Sequence, residues 1–320
     1  MTKSSINSPT NPTLLLSTKR NSGKILDCSY FGSIYYAKKG KIVKSLGLSD
    51  DTLFYMRSLA KPLQAAILFD YNIVKDYNLT SKELAIFSAS HAGSPKHVEL
   101  LKNILKKHKL KLGDLEIAPQ APLDLRNFNG KKTKLHNNCS GKHIMMLLMC
   151  KYLGFNFKGY TKENHPIQKL IQKKQEELSG FKADYLSYDG CTTPLWAISA
   201  KGIVNAYFNL VQNKKYKPLI ASIIKNPEIF GGFNRSDSKI IKLSKGKLFS
   251  KVGANGFIVV YNLEKDEILL VKITQNNNLI RELITLKALK ELNWLENELP
   301  KYEFNQKNEK VAKYCYEFEL

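Results

Sequence analysis

The sequence of 320 residues contains little arginine, although its formal net charge is +22. Arginine occurs only at Arg20, Arg57, Arg126, Arg235 and Arg281, so nearly all the positive excess is lysine. Arginine is the residue that recognises phosphates and bases through its bidentate fork. The lysines are spread along the chain, which favours a solvated surface over a nucleic-acid interface, and we expect no nucleic-acid partner.

Long hydrophobic runs and a disulfide-rich pattern are also missing. The longest apolar run is Ile144–Cys150, whereas a membrane-spanning helix needs about 20 apolar residues. The first apolar cluster, Leu14–Leu16, is too short for a signal peptide, so we expect a cytoplasmic protein without a membrane partner. The cysteines are odd in number and widely spaced, which favours free thiols, a metal site or catalysis over a disulfide framework.

Strand and helix patterns follow one another in separate blocks. Strands are predicted at Leu14–Thr18, Ser29–Tyr36, Lys41–Lys44, Lys247–Lys251, Gly256–Tyr261 and Glu267–Ile273. Helices are predicted at Pro62–Tyr77, Ser81–Ser90, Pro95–His108, Lys142–Leu153, Pro166–Leu178, Leu195–Val211, Lys217–Lys225 and Leu279–Leu292. Because a parallel doubly wound fold would alternate strands and helices, we predict an α+β fold with one sheet built from both chain ends around a helical middle.

Composition suggests the boundaries of this fold. Residues 1–12 are rich in Ser, Thr, Asn and Pro and are predicted to form a mobile N-terminal tail. Residues 13–300 are predicted to form a single domain with a helical sub-lobe. Residues 301–320 are charged and are predicted to form a C-terminal tail.

A serine and a lysine stand one helical turn apart near the start of the first predicted helix, in Arg57-Ser58-x-x-Lys61. Residues three apart share one helix face. If burial leaves its amine neutral, Lys61 can take the proton of Ser58 and make that serine a nucleophile. The same pattern also describes an N-cap serine followed by a surface lysine.

Other polar residues also stand in loops, where catalytic groups are common. Ser90-His91 precedes Gly93, and a helix C-cap at that glycine explains the loop but not Ser90-His91. Lys251 ends a predicted strand, and Arg235 lies in a Gly-rich loop, where it would suit a small carboxylate. Ordinary turns with solvated charges are the alternative for these last two.

Two cysteines lie in dense polar loops, at residues 136–143 and 188–194. Zinc accepts Cys, His and carboxylate ligands, and a catalytic zinc keeps an open position beside three protein ligands. Cys139 and Cys191 can supply two ligands, and the third can come from Lys142, His136, His143 or Asp189. Buried free thiols in helix-capping loops are the alternative.

Taken together, these stretches resemble the Rhizobium-type thermolabile L-asparaginases, also called L-asparaginase II. The order and spacing of the motifs make the resemblance specific, and it covers about residues 30 to 256. The motifs are Arg-Ser-x-x-Lys-Pro-x-Gln at Arg57–Gln64, Ser-His-x-Gly-x-x-x-His at Ser90–His97, Asn-Asn-Cys-Ser-Gly-Lys-His at Asn137–His143, Asp-Gly-Cys-x-x-Pro at Asp189–Pro194, Pro-Glu…Gly…Arg-x-Asp at Pro227–Asp237, and Lys-x-Gly-Ala at Lys251–Ala254.

The resemblance implies a homodimer with a fold like serine β-lactamases and penicillin-binding proteins. It implies conversion of L-asparagine to L-aspartate and ammonia through a Ser-Lys acyl-enzyme. The implied catalytic tandems are Ser58 with Lys61 and Ser90 with Lys251. The implied zinc ligands are Cys139, Lys142 and Cys191. The candidate substrate contacts are His91, Asp189, Arg235 and Asn255, of which Asp189 would also orient the metal ligands.

One departure from the family pattern concerns the substrate. The family usually has glutamate where this chain has Asn255, and an amide can give a substrate ammonium only a neutral hydrogen bond. The alternative is that this residue serves only a turn. Two other function classes remain open: another Ser-x-x-Lys hydrolase, such as an esterase or β-lactam-binding protein, and a basic nucleic-acid-binding protein.

Overall fold

Eleven strands occur in the part of the chain that the structure, a computed structural model, describes, which is residues 11–320. Most of the predicted mobile tail, residues 1–10, lies outside the described residues. The strands are β1 (Thr13–Arg20), β2 (Ile25–Lys38), β3 (Lys41–Leu46), β4 (Leu53–Tyr55), β5 (Leu186–Tyr188), β6 (Pro194–Ser199), β7 (Leu248–Val252), β8 (Phe257–Asn262), β9 (Glu267–Ile273), β10 (Tyr302–Phe304) and β11 (Lys310–Tyr316).

The main sheet joins the two ends of the described chain. Its strand order is β10-β11-β1-β2-β9-β8-β7, and β3 pairs with β2 outside this path. In β1, for example, Thr18 lies opposite Cys28 of β2 on one side and opposite Tyr314 of β11 on the other. The predicted α+β fold, with one sheet completed by both ends of the chain, is therefore confirmed.

Helices fill the middle of the chain, as predicted. They are α1 (Ala60–Ala65), α2 (Ile67–Asp70), α3 (Ile73–Asp76), α4 (Ser81–Phe87), α5 (Pro95–Lys107), α6 (Ser140–Leu153), α7 (Pro166–Ser179), α8 (Ala200–Gln212), α9 (Lys217–Lys225), α10 (Pro227–Phe230), α11 (Ser236–Leu243) and α12 (Asn278–Glu291). The single helix predicted at residues 62–77 is divided into α1, α2 and α3, because Asn72 takes a left-handed backbone conformation between the last two. Within residues 11–320, none of the helices has the length and apolarity needed to cross a bilayer.

The sheet is covered on both faces. Val259 and Leu270 pack into the cluster formed with the helical middle, whereas Val260 and Leu269 pack into the cluster formed with α12. Side chains of a strand point alternately to the two faces. Lys251 therefore shares the face of Phe249, which belongs to the helical-middle cluster. This parity directs Lys251 of β7 towards the loops of the helical layer.

Two sequence predictions are wrong. Residues 301–320 do not form a simple charged tail, since β10 and β11 pair into the main sheet while charged residues of β11, such as Lys313, stay exposed. The helix predicted from Leu195 begins only at Ala200, because residues 194–199 form the fully buried strand β6. A short continuous apolar run fits a buried strand as well as a buried helix.

Candidate active site

Ser90 lies in the buried loop that follows α4. This helix begins with a capping box in which Thr80 accepts a hydrogen bond from the backbone N–H of Glu83 and the Glu83 carboxylate accepts one from Thr80. It ends at Phe87, so the chain leaves the helix three residues before Ser90. The Ser90 side chain is 2% exposed. The loop thus places a serine hydroxyl inside the protein, between the helical layer and the sheet.

Two buried lysines meet at the Ser90 hydroxyl. Lys61 Nζ, from α1, lies 3.1 Å from Ser90 Oγ, and Lys251 Nζ, from β7, lies 2.9 Å from the same atom. The exposed fractions of Lys61 and Lys251 are 1% and 0%. The predicted pair of Ser90 with Lys251 is therefore in direct contact, and Lys61 contacts the same hydroxyl.

Lys61 is fully occupied by oxygen acceptors. Its Nζ donates to the Ala89 carbonyl at 2.8 Å, to Ser90 Oγ at 3.1 Å and to the Asn138 carbonyl at 3.2 Å. An ammonium has three N–H donors, so these bonds use its whole capacity. In the described chain, none of its hydrogen bonds goes to Ser58. The predicted pair of Ser58 with Lys61 is not joined by a hydrogen bond in this arrangement.

Lys251 has a different environment. Its Nζ also donates to the Val252 carbonyl at 2.9 Å, lies 3.7 Å from a carboxylate oxygen of Asp237 and sits 5.1 Å from the ring centroid of Phe230. Burial lowers the pKa of Lys251 to about 7, although the Asp237 carboxylate opposes that shift. A lysine with this pKa can accept a proton from a serine at neutral pH.

Ser58 stands in a short 3₁₀ turn, Arg57–Leu59, just before Lys61. Its side chain is 7% exposed. The preceding Arg57 adopts a positive φ of 52°, a conformation that is unfavourable for a side chain this large. Arg57 Nε lies 2.9 Å from an Asp189 carboxylate oxygen. This ion pair connects the Ser58 turn to the loop that carries Cys191.

The two polar loops with cysteine come together, as the sequence predicted. One ligand atom from each of Cys139, Cys191 and Asp189 lies within 4.8 Å of the other two. Lys142 Nζ lies 3.0 Å from Cys191 Sγ and 2.7 Å from Thr193 Oγ1. Both cysteines are buried free thiols. The cluster adjoins the Ser90 site, because Asn138, which accepts from Lys61, directly precedes Cys139.

The sulfur and nitrogen atoms of this cluster perturb each other. The hydrogen bond from Cys139 and the nearby Lys142 lower the pKa of the Cys191 thiol well below its ordinary value. The same hydrogen bond, together with burial, raises the pKa of Cys139. Burial alone would lower the pKa of Lys142, but the neighbouring Cys191 and Cys139 sulfurs raise it overall. The two thiols and the Lys142 amine are therefore electrostatically coupled.

The cluster fits a zinc ion. Two thiolates on one tetrahedral zinc, with zinc–sulfur bonds of about 2.3 Å, lie about 3.8 Å apart. The Cys139 and Cys191 sulfurs lie within 4.8 Å of each other, a range that includes that spacing. Lys142 is close enough to turn its nitrogen to the same centre once it has lost a proton. Asp189 is the remaining group within reach.

His91, the predicted substrate contact next to Ser90, has structural partners. His91 is buried, its Nε2 lies 2.9 Å from Ser140 Oγ, and its Nδ1 accepts from the Gly93 backbone N–H. Ser140 donates its own hydrogen to the Leu135 carbonyl, so His91 donates to Ser140. Burial holds the pKa of His91 well below its ordinary value. Both ring nitrogens are therefore engaged in holding the loop after Ser90.

Arg235 and Asn255 differ sharply in position. Arg235 is half-buried, and its Nε is buried without a hydrogen-bond partner among the described residues. Asn255 is exposed in the turn between β7 and β8, with a φ of 57° and a carbonyl that accepts from Lys272 Nζ at 2.7 Å. The Arg235 Nε is thus a buried donor without a partner in the described chain, whereas the Asn255 backbone supports the turn alternative.

Asp237 is the principal residue that the sequence analysis did not select. Its carboxylate is fully buried, faces Lys251 and accepts from the backbone N–H groups of Ser238 and Val252. The sequence did contain a signal for Asp237, because this residue is the last position of the Arg-x-Asp motif at residues 235–237. A buried carboxylate near a lysine is a group that sets the lysine's basicity.

Comparison with known proteins gives a family match. Residues 19–314 match the family model of L-asparaginase II. No curated protein matches the sequence.

Three solved structures are similar to the chain. One is a β-lactamase from Mycobacterium bovis, with 11% identity, coverage of 81% of this chain and 94% of that chain, and a TM-score of 0.42. A second is a β-lactamase/D-alanine carboxypeptidase from Pseudomonas syringae, with 13% identity, coverage of 83% and 94%, and a TM-score of 0.41. A third is a peptidoglycan synthesis regulatory factor from Streptococcus pneumoniae, with 15% identity, coverage of 90% and 88%, and a TM-score of 0.42.

Proposed function

The chain belongs to the L-asparaginase II family, and from this membership we propose that it is a Rhizobium-type L-asparaginase that hydrolyses L-asparagine to L-aspartate and ammonia. The observation that carries the proposal is the buried Ser90 hydroxyl between Lys61 and Lys251. Serine activated by an adjacent neutral lysine is an established arrangement for acyl transfer. Hydrolysis of an amide by acyl transfer releases ammonia and leaves an ester on the enzyme.

The proton that must leave the attacking serine has one favoured destination. Lys61 has all three donors engaged with oxygen atoms, so its role is to donate to Ser90 Oγ and stabilise the charge that develops there. Lys251, with its pKa lowered by burial to about 7, is the group that takes the Ser90 proton. We therefore favour Ser90 as the nucleophile, with Ser58 as the alternative proposed from the sequence.

One proton passes back and forth between Ser90 and Lys251 during the reaction. Ser90 Oγ bonds to the side-chain carbonyl carbon of asparagine while its proton passes to Lys251 Nζ. Collapse of the tetrahedral intermediate breaks the carbon–nitrogen bond, and the same proton passes from Lys251 to the leaving nitrogen as ammonia forms. A water then attacks the ester and gives a proton to Lys251, which returns it to Ser90 Oγ as aspartate leaves.

Substrate orientation is assigned to the groups beside this pair. The unpaired Arg235 nitrogen suits the α-carboxylate of an amino acid, since guanidinium groups bind carboxylates with paired donors. Asp189, already paired with Arg57, holds the Ser58 turn against the cysteine loop. For Asn255 we favour a role in the turn between β7 and β8 over the contact with the substrate ammonium that the sequence predicted.

We also propose a resident zinc ion, held by Cys139, Lys142 and Cys191. When bound, zinc would supply a Lewis-acid centre beside the catalytic loop. The residues themselves tie the cysteine loops to the serine site through Asn138 and Arg57. Assembly as a homodimer and a cytoplasmic location stay predictions.

The test is ammonia release from asparagine and glutamine, with and without a chelator. An ester and a β-lactam chromogen serve as parallel substrates, and Lys251→Met serves as the inactive reference. Ammonia from asparagine that depends on Lys251 supports the proposal. Turnover of the ester or the β-lactam without ammonia release from asparagine would assign the site to another class of Ser-Lys hydrolase.

A further inference from the structure

A cavity of about 840 Å³ lies beside the first turn of α5, and we call it the basic cavity. Cationic side chains outnumber carboxylates among the described residues that line it. The cations are Lys82, Lys96, Arg126, Lys225 and Lys242, and the carboxylates are Asp124 and Glu228. None of the described lining residues is Ser90, Lys61 or Lys251, so the proposed reaction does not use this space.

The two carboxylates neutralise only part of this charge. Arg126 Nη2 lies 2.7 Å from Asp124 Oδ2, and Lys242 forms an ion pair with Glu228. The other lining cations are exposed and have neither an ion pair nor a side-chain hydrogen bond in the described chain. These unpaired lysines are Lys82, Lys96 and Lys225. The basic cavity therefore keeps an excess of positive charge that nothing in the described chain balances.

Concavity distinguishes the unpaired lysines from the solvated lysines elsewhere on the surface. A cleft lined by charges of one sign, with walls of low dielectric, concentrates their field on an incoming ion. Pro227, Ile229 and Phe233 supply such apolar walls. Pockets for small molecules typically have volumes of about 300–1,000 Å³. The volume of the basic cavity thus fits a small anionic molecule.

The first turn of α5 favours phosphate as the anionic group. Ser94, Pro95 and Lys96, which begin this helix of 13 residues, line the basic cavity. The N-terminus of a helix carries partial positive charge and free N–H groups, and it commonly binds phosphate. The unpaired cations are all lysines, which bind phosphate as point charges, whereas arginine gives planar carboxylates a matching fork.

The unpaired lysines come from three different helices. Lys82 belongs to α4, Lys96 to α5 and Lys225 to the last turn of α9. Charges on separate walls of one cavity suit a ligand with more than one anionic group. The Phe233 ring, which is 55% exposed, lines the same cavity and can contact an apolar part of the ligand.

His97 connects the basic cavity to the Ser90 loop but is not free to bind a ligand. It lines the cavity, and its ring stacks on that of His91 with 5.1 Å between the centroids. Its Nδ1 lies 2.7 Å from Ser94 Oγ, and its Nε2 lies 2.9 Å from the Glu228 carbonyl oxygen. Both ring nitrogens are thus engaged, which leaves the ligand contacts to the lysines.

We propose that the basic cavity binds a small organic molecule that carries a di- or triphosphate group. The phosphates contact the unpaired lysines and the first turn of α5, and the organic part contacts Phe233. This site goes beyond the proposed asparaginase reaction and does not depend on it, because the ligand and asparagine occupy different spaces.

The first experiment is titration calorimetry of the full chain with inorganic triphosphate at low ionic strength. The cavity variant replaces the three unpaired lysines by methionine. The control variant removes three exposed lysines without ion pairs from other surfaces, and it is Lys169→Met, Lys265→Met, Lys307→Met. Wild type and the control variant should bind about one triphosphate per chain, since one cavity of this size holds one such molecule.

The cavity variant should bind triphosphate at least about tenfold more weakly, because three charge contacts are lost. Each single replacement, such as Lys96→Met, should weaken binding by a smaller factor, so the result does not depend on folding of the triple variant. Equal weakening in the cavity and control variants would overturn the site, because net charge alone would then explain binding. No binding of triphosphate by wild type would also overturn it.

The second experiment tests the chemistry of the ligand with three further probes. Citrate, a small polycarboxylate, should bind more weakly than triphosphate, and equal or tighter binding would refute the preference for phosphate. Adenosine triphosphate should bind more tightly than inorganic triphosphate, and Phe233→Ala should remove this difference; equal affinity of the two in wild type would refute the organic contact. A single-stranded oligonucleotide that binds more tightly than both, and loses this affinity in the cavity variant, would assign the cavity to a nucleic-acid surface instead.

The two proposals fail separately. All titrations are made without asparagine, so a chain that releases no ammonia still gives a result for the basic cavity. A chain that releases ammonia but binds no triphosphate would refute this site and leave the proposed function intact.

Discussion

The Asp237 carboxylate lies 3.7 Å from Lys251 Nζ, and both side chains are completely excluded from solvent. This pair sets the basicity of the lysine that touches Ser90. Burial lowers the pKa of Lys251 to about 7, and Asp237 limits that fall. The pH range in which the site is active therefore depends on one carboxylate on α11 and one lysine on β7.

The pH dependence of activity should move when this carboxylate is neutralised. Lys251 accepts a proton only when neutral, so kcat/KM should rise as the pH increases through about 7. Asp237→Asn removes the charge that favours the protonated form, so the rising limb should move to lower pH by about one unit. A pH profile of ammonia release measures this, with Asp27→Asn at an exposed ion pair as the control. A limb that stays in place or moves upward would contradict the pairing.

The two candidate nucleophiles can be separated by substitution. Ser90→Ala and Lys251→Met should each lower kcat by about 10² or more, the scale of positioned proton transfer. Lys61→Ala should also be severely impaired, since it donates to Ser90 Oγ. Acid-quenched enzyme, digested and analysed by mass spectrometry, should carry the aspartyl group on Ser90. An adduct on Ser58, with turnover retained in Ser90→Ala, would reverse the assignment.

Metal content should follow the cysteine pair. We expect about one zinc per chain and its loss in the Cys139→Ala, Cys191→Ala double variant, but not in the exposed Cys28→Ala variant. Because the pKa of Lys142 is raised in the metal-free cluster, ligation must displace a proton, and zinc affinity should fall as the pH falls. Elemental analysis and chelator competition measure these effects. If the protein contains no zinc even after zinc is added, the two thiols are buried residues without a metal-binding role.

Asn255 offers a test of turn against substrate contact. Its φ of 57° and exposed side chain favour a turn role, so Asn255→Gly should leave KM for asparagine within about twofold of wild type. Asn255→Glu should lower stability by about 1 kcal/mol, because glutamate is unfavourable in the left-handed conformation. Steady-state kinetics and urea unfolding provide the readouts. A clear decrease of KM in Asn255→Glu would instead establish the predicted substrate contact.

Gly141 should resist substitution for a steric reason. A Cβ at this position would collide with the Ile86 carbonyl oxygen, where α6 packs against α4. Gly141→Ala should therefore lower the free energy of unfolding by about 1–3 kcal/mol, the range for overpacking. Gly113→Ala, which has open space around the added Cβ, is the matched control. Equal stability of the two variants would show that α6 can shift without penalty.

Hydrophobic periodicity and local turn residues predicted most of the helices and strands. The late strands were predicted within one residue of β7, β8 and β9, because short apolar runs bounded by turn residues leave little ambiguity. The strand β6 was missed, because its apolar run leads directly into α8 without a turn segment between them. The strands β10 and β11 were missed because charge on an exposed strand face resembles a tail.

The candidate site was predictable as a set of residues but not as a set of contacts. The resemblance selected Ser90, Lys251 and both cysteines, which the fold brings together as expected. It paired Lys61 with Ser58, since sequence spacing shows only which residues share a helix face. The contact with Ser90 depends on how α1 packs against the loop after α4, which is a tertiary property.

The sheet that joins both chain ends also constrains how the protein can be made. On a ribosome, β1 and β2 are synthesised early, yet β9 and β11, which pair with them, follow more than two hundred residues later. Pairings of such sequence separation form slowly. The hairpin of β1 and β2 therefore has unpaired strand edges until β9 and β11 are synthesised. An arrested or truncated nascent chain would expose these edges to self-association. Protein output should then depend on chaperone supply and translation speed more than on the stability of the finished sheet.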